Sequence, residues 1–175
     1  MRKIRFISCV AVVAAILSGC SLTGTHAESK PTCDGFDLAH NGEALGSGTR
    51  LRNELENIAT RPGPVRFIDI TRAAGWSDDW TRMVNVQAGT KDAELNSIAH
   101  TTESCWKGLP PVPDDDRAAV SYFLFIRDES GAKSRPVQAV QQSAGSIGKV
   151  YFHNDEPLTA ESVLIAGGKA LVAQP

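Results

Sequence analysis

No stretch of this 175-residue chain stays apolar for the roughly 20 residues that a helix needs to cross a hydrocarbon core. The longest apolar run, Ile7 to Leu17, has 11. Charge of one sign is also scarce. The formal net charge is −2, no block of five like charges occurs, and the longest acidic run is Asp114-Asp115-Asp116. A basic face for a nucleic acid is therefore not expected. Histidine is thin: His26, His40, His100 and His153 are scattered, and no two stand four apart as on a metalloprotease helix. A zinc site would have to be assembled from His40, His100 and His153 across the chain. No Gly-x-Ser-x-Gly occurs, so no nucleophile elbow is signalled. Repeats and low-complexity runs are missing too.

What is present begins with a targeting segment. Arg2, Lys3 and Arg5 precede any anion, and the apolar run follows at once, as in a secretory signal. Leu17-Ser18-Gly19-Cys20 then closes the run. This tetrapeptide resembles the lipobox of bacterial lipoprotein precursors. The resemblance implies a diacylglyceryl (palmitate-type) lipid on the sulfur of Cys20 and cleavage of residues 1–19. Small residues at Ser18 and Gly19 give a peptidase access to the backbone, and the Cys20 thiol is the nucleophile that takes the lipid. Residues 20–32 read as the lipidated N-terminus and a flexible tether, and 33–175 as one α+β domain. Ser21 is not the Asp that marks inner-membrane retention in the enteric-type system. The expected address is thus the extracytoplasmic side of the cell membrane or the outer membrane.

Losing the three cations of the signal takes the net charge from −2 to −5. Of four cysteines, Cys9 leaves with the signal and Cys20 takes the lipid. Cys33 and Cys105 remain, an even pair in an oxidising compartment, and a disulfide between them is expected.

Periodicity supplies the fold class. Leu51, Leu55, Ile58 and Ala59 have helical spacing, with Thr49 as expected N-cap and Pro62-Gly63-Pro64 as the stop. Val65 to Ile70 reads as a strand. Residues 79–87 read as another, with Trp80, Val84 and Val86 on one side. Leu95, Ile98 and Ala99 mark a second helix, N-capped by Thr90, with Asp92 and Glu94 at its positive end. Residues 105–116 are a proline-rich, acidic loop. Residues 118–128 are apolar in both alternations, as in a strand covered on both faces. Residues 136–141 pair back across a turn, and 148–154 form another strand. "SVLIA" and "KALVA" flank Gly167-Gly168, a hairpin signal. The expectation is an α+β fold: a mostly antiparallel sheet of five to seven strands with about two helices on one face.

The stretch from Gly75 to Asp128 loosely resembles a class of small bacterial secreted proteins and lipoproteins. The similarity runs through Trp80, "MVNV", Thr90 to Leu95, Trp106, Asp114 to Asp116 and "YFLFIRD". It departs at Thr81 and at Gln87-Ala88-Gly89. It implies nothing about activity.

Chemical signatures are weak. Ser130-Gly131-Ala132-Lys133 matches Ser-x-x-Lys but falls in a turn, without its partner motifs. Asp114 to Asp116 lack the spacing of a calcium loop. Gly145 to Lys149 lack that of a phosphate loop. Trp76, Trp80 and Trp106 read first as core and rim packing; as the alternative they are the candidate ligand or partner surface. The expected function is a lipid-anchored, non-catalytic envelope binding module, held to the membrane by its N-terminal lipid. Its partner would be an envelope protein or polymer, with no cofactor, metal or nucleic acid. The alternative is a small envelope hydrolase with a site built from distant residues.

Overall fold

The computed structural model describes residues 34–103, 105–114, 119–129, 134–142, 145, 147–153 and 156–174. The signal, the lipobox with Cys20, the tether with His26, Cys33, Asp115, Asp116 and the Ser130–Lys133 motif lie outside them. Among the described residues no helix is long and apolar enough to cross a membrane.

The class is α+β, with three helices and eight strands in two four-stranded sheets among the described residues. The helices are α1 (Gly48–Ala59), α2 (Phe67–Ala73) and α3 (Asp92–Ala99). The first sheet has the order β1-β7-β8-β5, formed by Pro64–Arg66, Val163–Gly167, Ala170–Ala173 and Lys149–Tyr151. Its pairs are antiparallel except β5–β8. The second sheet, β4-β3-β2-β6, is antiparallel throughout: Arg135–Gln141, Tyr122–Arg127, Arg82–Val86 and Leu158–Thr159.

β3 explains the layering. Its side chains alternate between faces, and both faces are apolar. Phe123 and Phe125 enter a large core with Leu51 and Leu55 of α1, Phe67 and Ile70 of α2, and Leu164 and Leu171 of the first sheet. Leu124 and Ile126 enter a smaller core with Val84 and Val86 of β2, Leu95 and Ala99 of α3, and Trp106. The strand is thus doubly covered, as its composition predicts. The helices divide between the two faces: α1 and α2 pack on one, α3 on the other.

Several boundaries differ from the sequence expectation. The strand expected over 65–70 ends at Arg66, and Phe67 starts a helix. Two of this helix's free N–H groups find partners in a distant part of the chain: Phe67 donates to Ser162 O at 2.8 Å and Ile68 to Ala160 O at 3.0 Å. Burial of Phe67, Ile68, Ile70 and Thr71 then outweighs β-propensity. The N-caps of α1 and α3 are Ser47 and Lys91 rather than Thr49 and Thr90. The Glu43 carboxylate accepts from Gly48 N–H at 3.0 Å, and the Thr49 hydroxyl instead accepts from Arg52. The C-terminal hairpin forms, but its two turn residues are Gly168 and Lys169, because Gly167 pairs with Ala170. Gly168 supplies the positive φ, +78°.

The outer edge of β4 is sealed by a side chain. Asn41 Oδ1 accepts from Ala139 N–H at 2.8 Å, and its Nδ2 donates to Ala139 O at 3.2 Å. Asn41 therefore occupies the place of a neighbouring strand.

Candidate functional site

The three tryptophans do not form a surface. Trp76, Trp80 and Trp106 are only 5%, 5% and 6% exposed. Trp76 and Trp80 pack on Phe125, at ring separations of 4.8 and 5.3 Å. Trp80 also meets Phe67 edge-on. Trp106 lies in the other core, edge-on to Phe36, its indole N–H donating to Asn96 Oδ1 at 3.1 Å. The tryptophans pack, and the alternative of a shared aromatic face is corrected: the indoles are separated by β3, and they fill volume on either side of it. Likewise Trp80 does not share a side with Val84 and Val86.

Cys105 is a disulfide-bonded residue. Gly35, two positions after Cys33, lies directly on it: a Cβ there would come 1.6 Å from Cys105 O and 3.2 Å from its sulfur. Only glycine allows that approach. Phe36 O then accepts from Lys107 N–H, and Leu38 N–H donates to Lys107 O, so the two segments run together.

A recess of mixed apolar and amide lining is found instead at the C-terminal end of β2. One cavity of about 490 Å³ is bordered by Val84, Asn85 and Gln87–Thr90, with Glu94 and Ile98 of α3 and Val112. A second, of about 460 Å³, shares Asn85, Gln87 and Ala88 and extends past Val120 and Gln142 to Lys149–Phe152. Asn85, Gln87 and Ala88 are the saddle between them. The turn that forms this saddle needs Gly89. Its φ is +87°, its N–H donates to Pro110 O at 2.8 Å, and a Cβ would stand 2.8 Å from a Val112 methyl. The proline-rich loop is thereby laid on the turn as one wall.

Three of the exposed large apolar side chains border this groove: Val112 (66% exposed), Val120 and Tyr151 (52%). Its polar lining is mainly amide and hydroxyl: Asn85, Gln87, Thr90, Ser121 and Gln142, with Gln142 Nε2 donating to Asn85 Oδ1. Glu94 and Lys149 are the charged side chains among these described lining residues. Such a surface suits hydrogen bonding and apolar contact. None of these residues was singled out from the sequence, since positions 85 to 151 meet only through the topology. One local signal existed: the isolated Val112 within an acidic, proline-rich loop.

Other charged clusters are structural. Arg82, with its side chain only 13% exposed, donates to Asp128 at 2.6 and 2.8 Å, to Ala99 O at 2.6 Å and to Ser134 Oγ at 2.9 Å. It joins the start of β2 to the ends of α3 and β3 and the start of β4. Burial alone would raise the Asp128 pKa; the Ser134 hydroxyl, the Arg82 charge and Thr81 reverse this and hold it below the ordinary value. Asp37 and His40 form a titratable pair, Oδ2 to Nδ1 3.5 Å, with the imidazole 86% exposed. Asp37 also accepts from the N–H groups of Ala39 and His40. Slight desolvation raises its pKa, and those two donors with the imidazole bring it below the ordinary value. His40, though not Asp37, borders a recess of about 360 Å³ with Glu43, Thr49 and Arg52. His40, His100 and His153 are not assembled, and among the described residues no group of three or more His, Cys, Asp or Glu could hold a metal ion. No family model, no curated protein and no solved structure matches the chain.

Proposed function

We propose that the chain is a lipoprotein precursor whose domain is a non-catalytic binding module, held on the extracytoplasmic side of a membrane by acyl chains on Cys20. The groove around Asn85, Gln87 and Ala88 is its binding site. The observation that carries this reading is the gathering of exposed Val112, Val120 and Tyr151 with five amide and hydroxyl side chains in one recess. Exposed apolar residues grouped in this way mark contact sites. Two acyl chains suffice as the anchor, at roughly 0.8 kcal/mol per buried methylene. A Cys33–Cys105 disulfide belongs to the same reading, supported by the seat of Gly35 on Cys105. Mass spectrometry of non-reduced peptides should recover Cys33 joined to Cys105.

Two measurements test the proposal. Cys20→Ser should abolish palmitate incorporation and release the protein from membranes; continued membrane partition of the variant refutes the anchor. A photo-crosslinking residue at Gln87 should capture an envelope protein or polymer in intact cells, and one at exposed Glu161 should not. Equal capture at both positions, or at neither, refutes the site. A second reading, a small envelope hydrolase, draws on the His40–Asp37 pair beside its recess. It requires an ester- or amide-cleaving activity that His40→Ala eliminates.

A further inference from the structure

β6 pairs with β2 at Arg82 and Met83, opposite Thr159 and Leu158. One more step of that register would set Pro157 against Val84, and proline has no N–H to place in a ladder. The chain turns there instead, with Glu156 N–H donating to His153 O at 3.0 Å. On its other side β2 stays paired with β3 as far as Val86. Among the described residues, then, Val84 to Val86 have a strand neighbour on one side alone.

The cavity of about 490 Å³ lies along this free side. Both Val84 and Asn85 border it. Consecutive strand residues point to opposite faces, so a space that touches both runs beside the strand. Natural proteins usually blunt such edges with lysine, proline or a covering group. The opposite edge of this sheet follows that practice, with Arg135 and Pro136 in β4 and Asn41 bonded to Ala139. The β2 edge has no lysine or proline between Val84 and Thr90, and among the described residues the proline-rich loop meets it only past the end of the strand, where Gly89 N–H donates to Pro110 O.

We infer that the edge of β2 from Val84 to Gln87 receives an extended polypeptide segment, which adds to the second sheet as a strand continuing the line of β6. This rests on the reading of the groove as the binding site and names its ligand class. Backbone groups of the added segment pair with those of β2, as in other strand-addition modes. The walls set the side-chain pattern. Val84 and Ile98 belong to the face of the smaller core, and Asn85 and Gln87 alternate to the other face, with Val112 also bordering the space. A strand has the same period of two, so the segment alternates apolar residues with hydroxyl or amide residues. A cation beside it would face Glu94. At about 3.3 Å per residue the free edge accommodates three or four residues in register.

The test uses the full chain in lipid nanodiscs. The probe is the blocked peptide acetyl-Thr-Val-Thr-Val-Thr-Val-Lys-amide, with two forms N-methylated on one or the other alternate set of amides. The peptide should bind, and amide exchange should slow within Val84 to Gln87. One methylated form should lose affinity by about tenfold or more while the other binds like the parent, because alternate N–H groups face opposite sides of a strand. Val112→Asp, at an exposed position, should weaken binding by a similar factor with an unchanged melting temperature. Equal binding by both methylated forms, unchanged exchange at saturation, or no binding at about 1 mM peptide overturns strand addition. Should an N-acetylglucosamine oligosaccharide perturb Asn85 and Gln87 while the peptide does not, strand addition fails and the binding module stands. Failure of the Cys20→Ser test removes the anchor and leaves the peptide result intact.

Discussion

The two edges of the second sheet are finished in different ways. At β4 a proline, an arginine and the Asn41 amide close the outer ladder, and Gln138, the residue before Ala139, is itself buried, its side chain bonded to Leu45 N–H and Gly46 O. At β2 the edge changes character within five residues. Its start is closed by β6 and clamped by Arg82; its end is bare among the described residues and opens on a groove. The same two-stranded backbone of β2 and β3 therefore carries a closed, clamped edge at one end and an open groove at the other. Strand-edge chemistry, rather than overall burial, distinguishes the two: Val86, at the open end, is as fully buried as Met83 at the closed one.

The largest test of this contrast is Met83→Ala. Met83 is fully buried at the closed start of β2, and truncation should cost about 2–5 kcal/mol in a denaturant titration. Arg82→Ala should follow at about 1.5–3 kcal/mol, since it removes hydrogen bonds to Asp128, Ala99 O and Ser134 at once. The clamp also has a pH signature. The folded-state pKa of Asp128 lies below its unfolded value, so its stabilising contribution is complete above the ordinary carboxylate range. It is lost as the pH falls through the lowered folded value, and acid titrations of the wild type and Asp128→Asn should converge there. Asn41→Ala should cost about 1–2 kcal/mol and speed amide exchange at Ala139, turning the sealed edge into a free one. At the open end, Val112→Thr should change stability by no more than about 0.5 kcal/mol, because the side chain is mostly in solvent. A large loss there would erase the distinction between the two edges.

Much of the fold was legible because long periodic segments declare themselves. The doubly apolar run 122–127, the Leu51–Leu55–Ala59 stripe and the C-terminal hairpin each follow from spacing alone. α2 did not, since Phe67, Ile68 and Ile70 carry β-propensity and the partners of its first N–H groups come from residues 160–162, almost a hundred positions away. The tryptophans were legible as packing residues, but not their division between two cores. A neighbourhood of Ser and Asp suggests a rim, yet each indole is held inside by a distant ring: Phe125 for Trp76 and Trp80, Phe36 for Trp106. The groove left almost no local trace. It exists because β5 returns beside the end of β2 and because Pro157 stops β6 early, and neither is a property of residues 84–90.

The long wait of β1 for its partner has a consequence for biogenesis. Arg66 pairs with Val163, and β7 pairs in turn with β8, so the first sheet joins an early part of the chain to its last strands. During synthesis the oily stripe of α1, Leu51, Leu55 and Ala59, is finished long before Leu164 and Leu171 exist to cover it. Closure of this core therefore waits until β7 and β8 have emerged. Removal of residues 163–173 would leave the face of α1 uncovered and β1 without a partner, an unfinished fold rather than a shorter one.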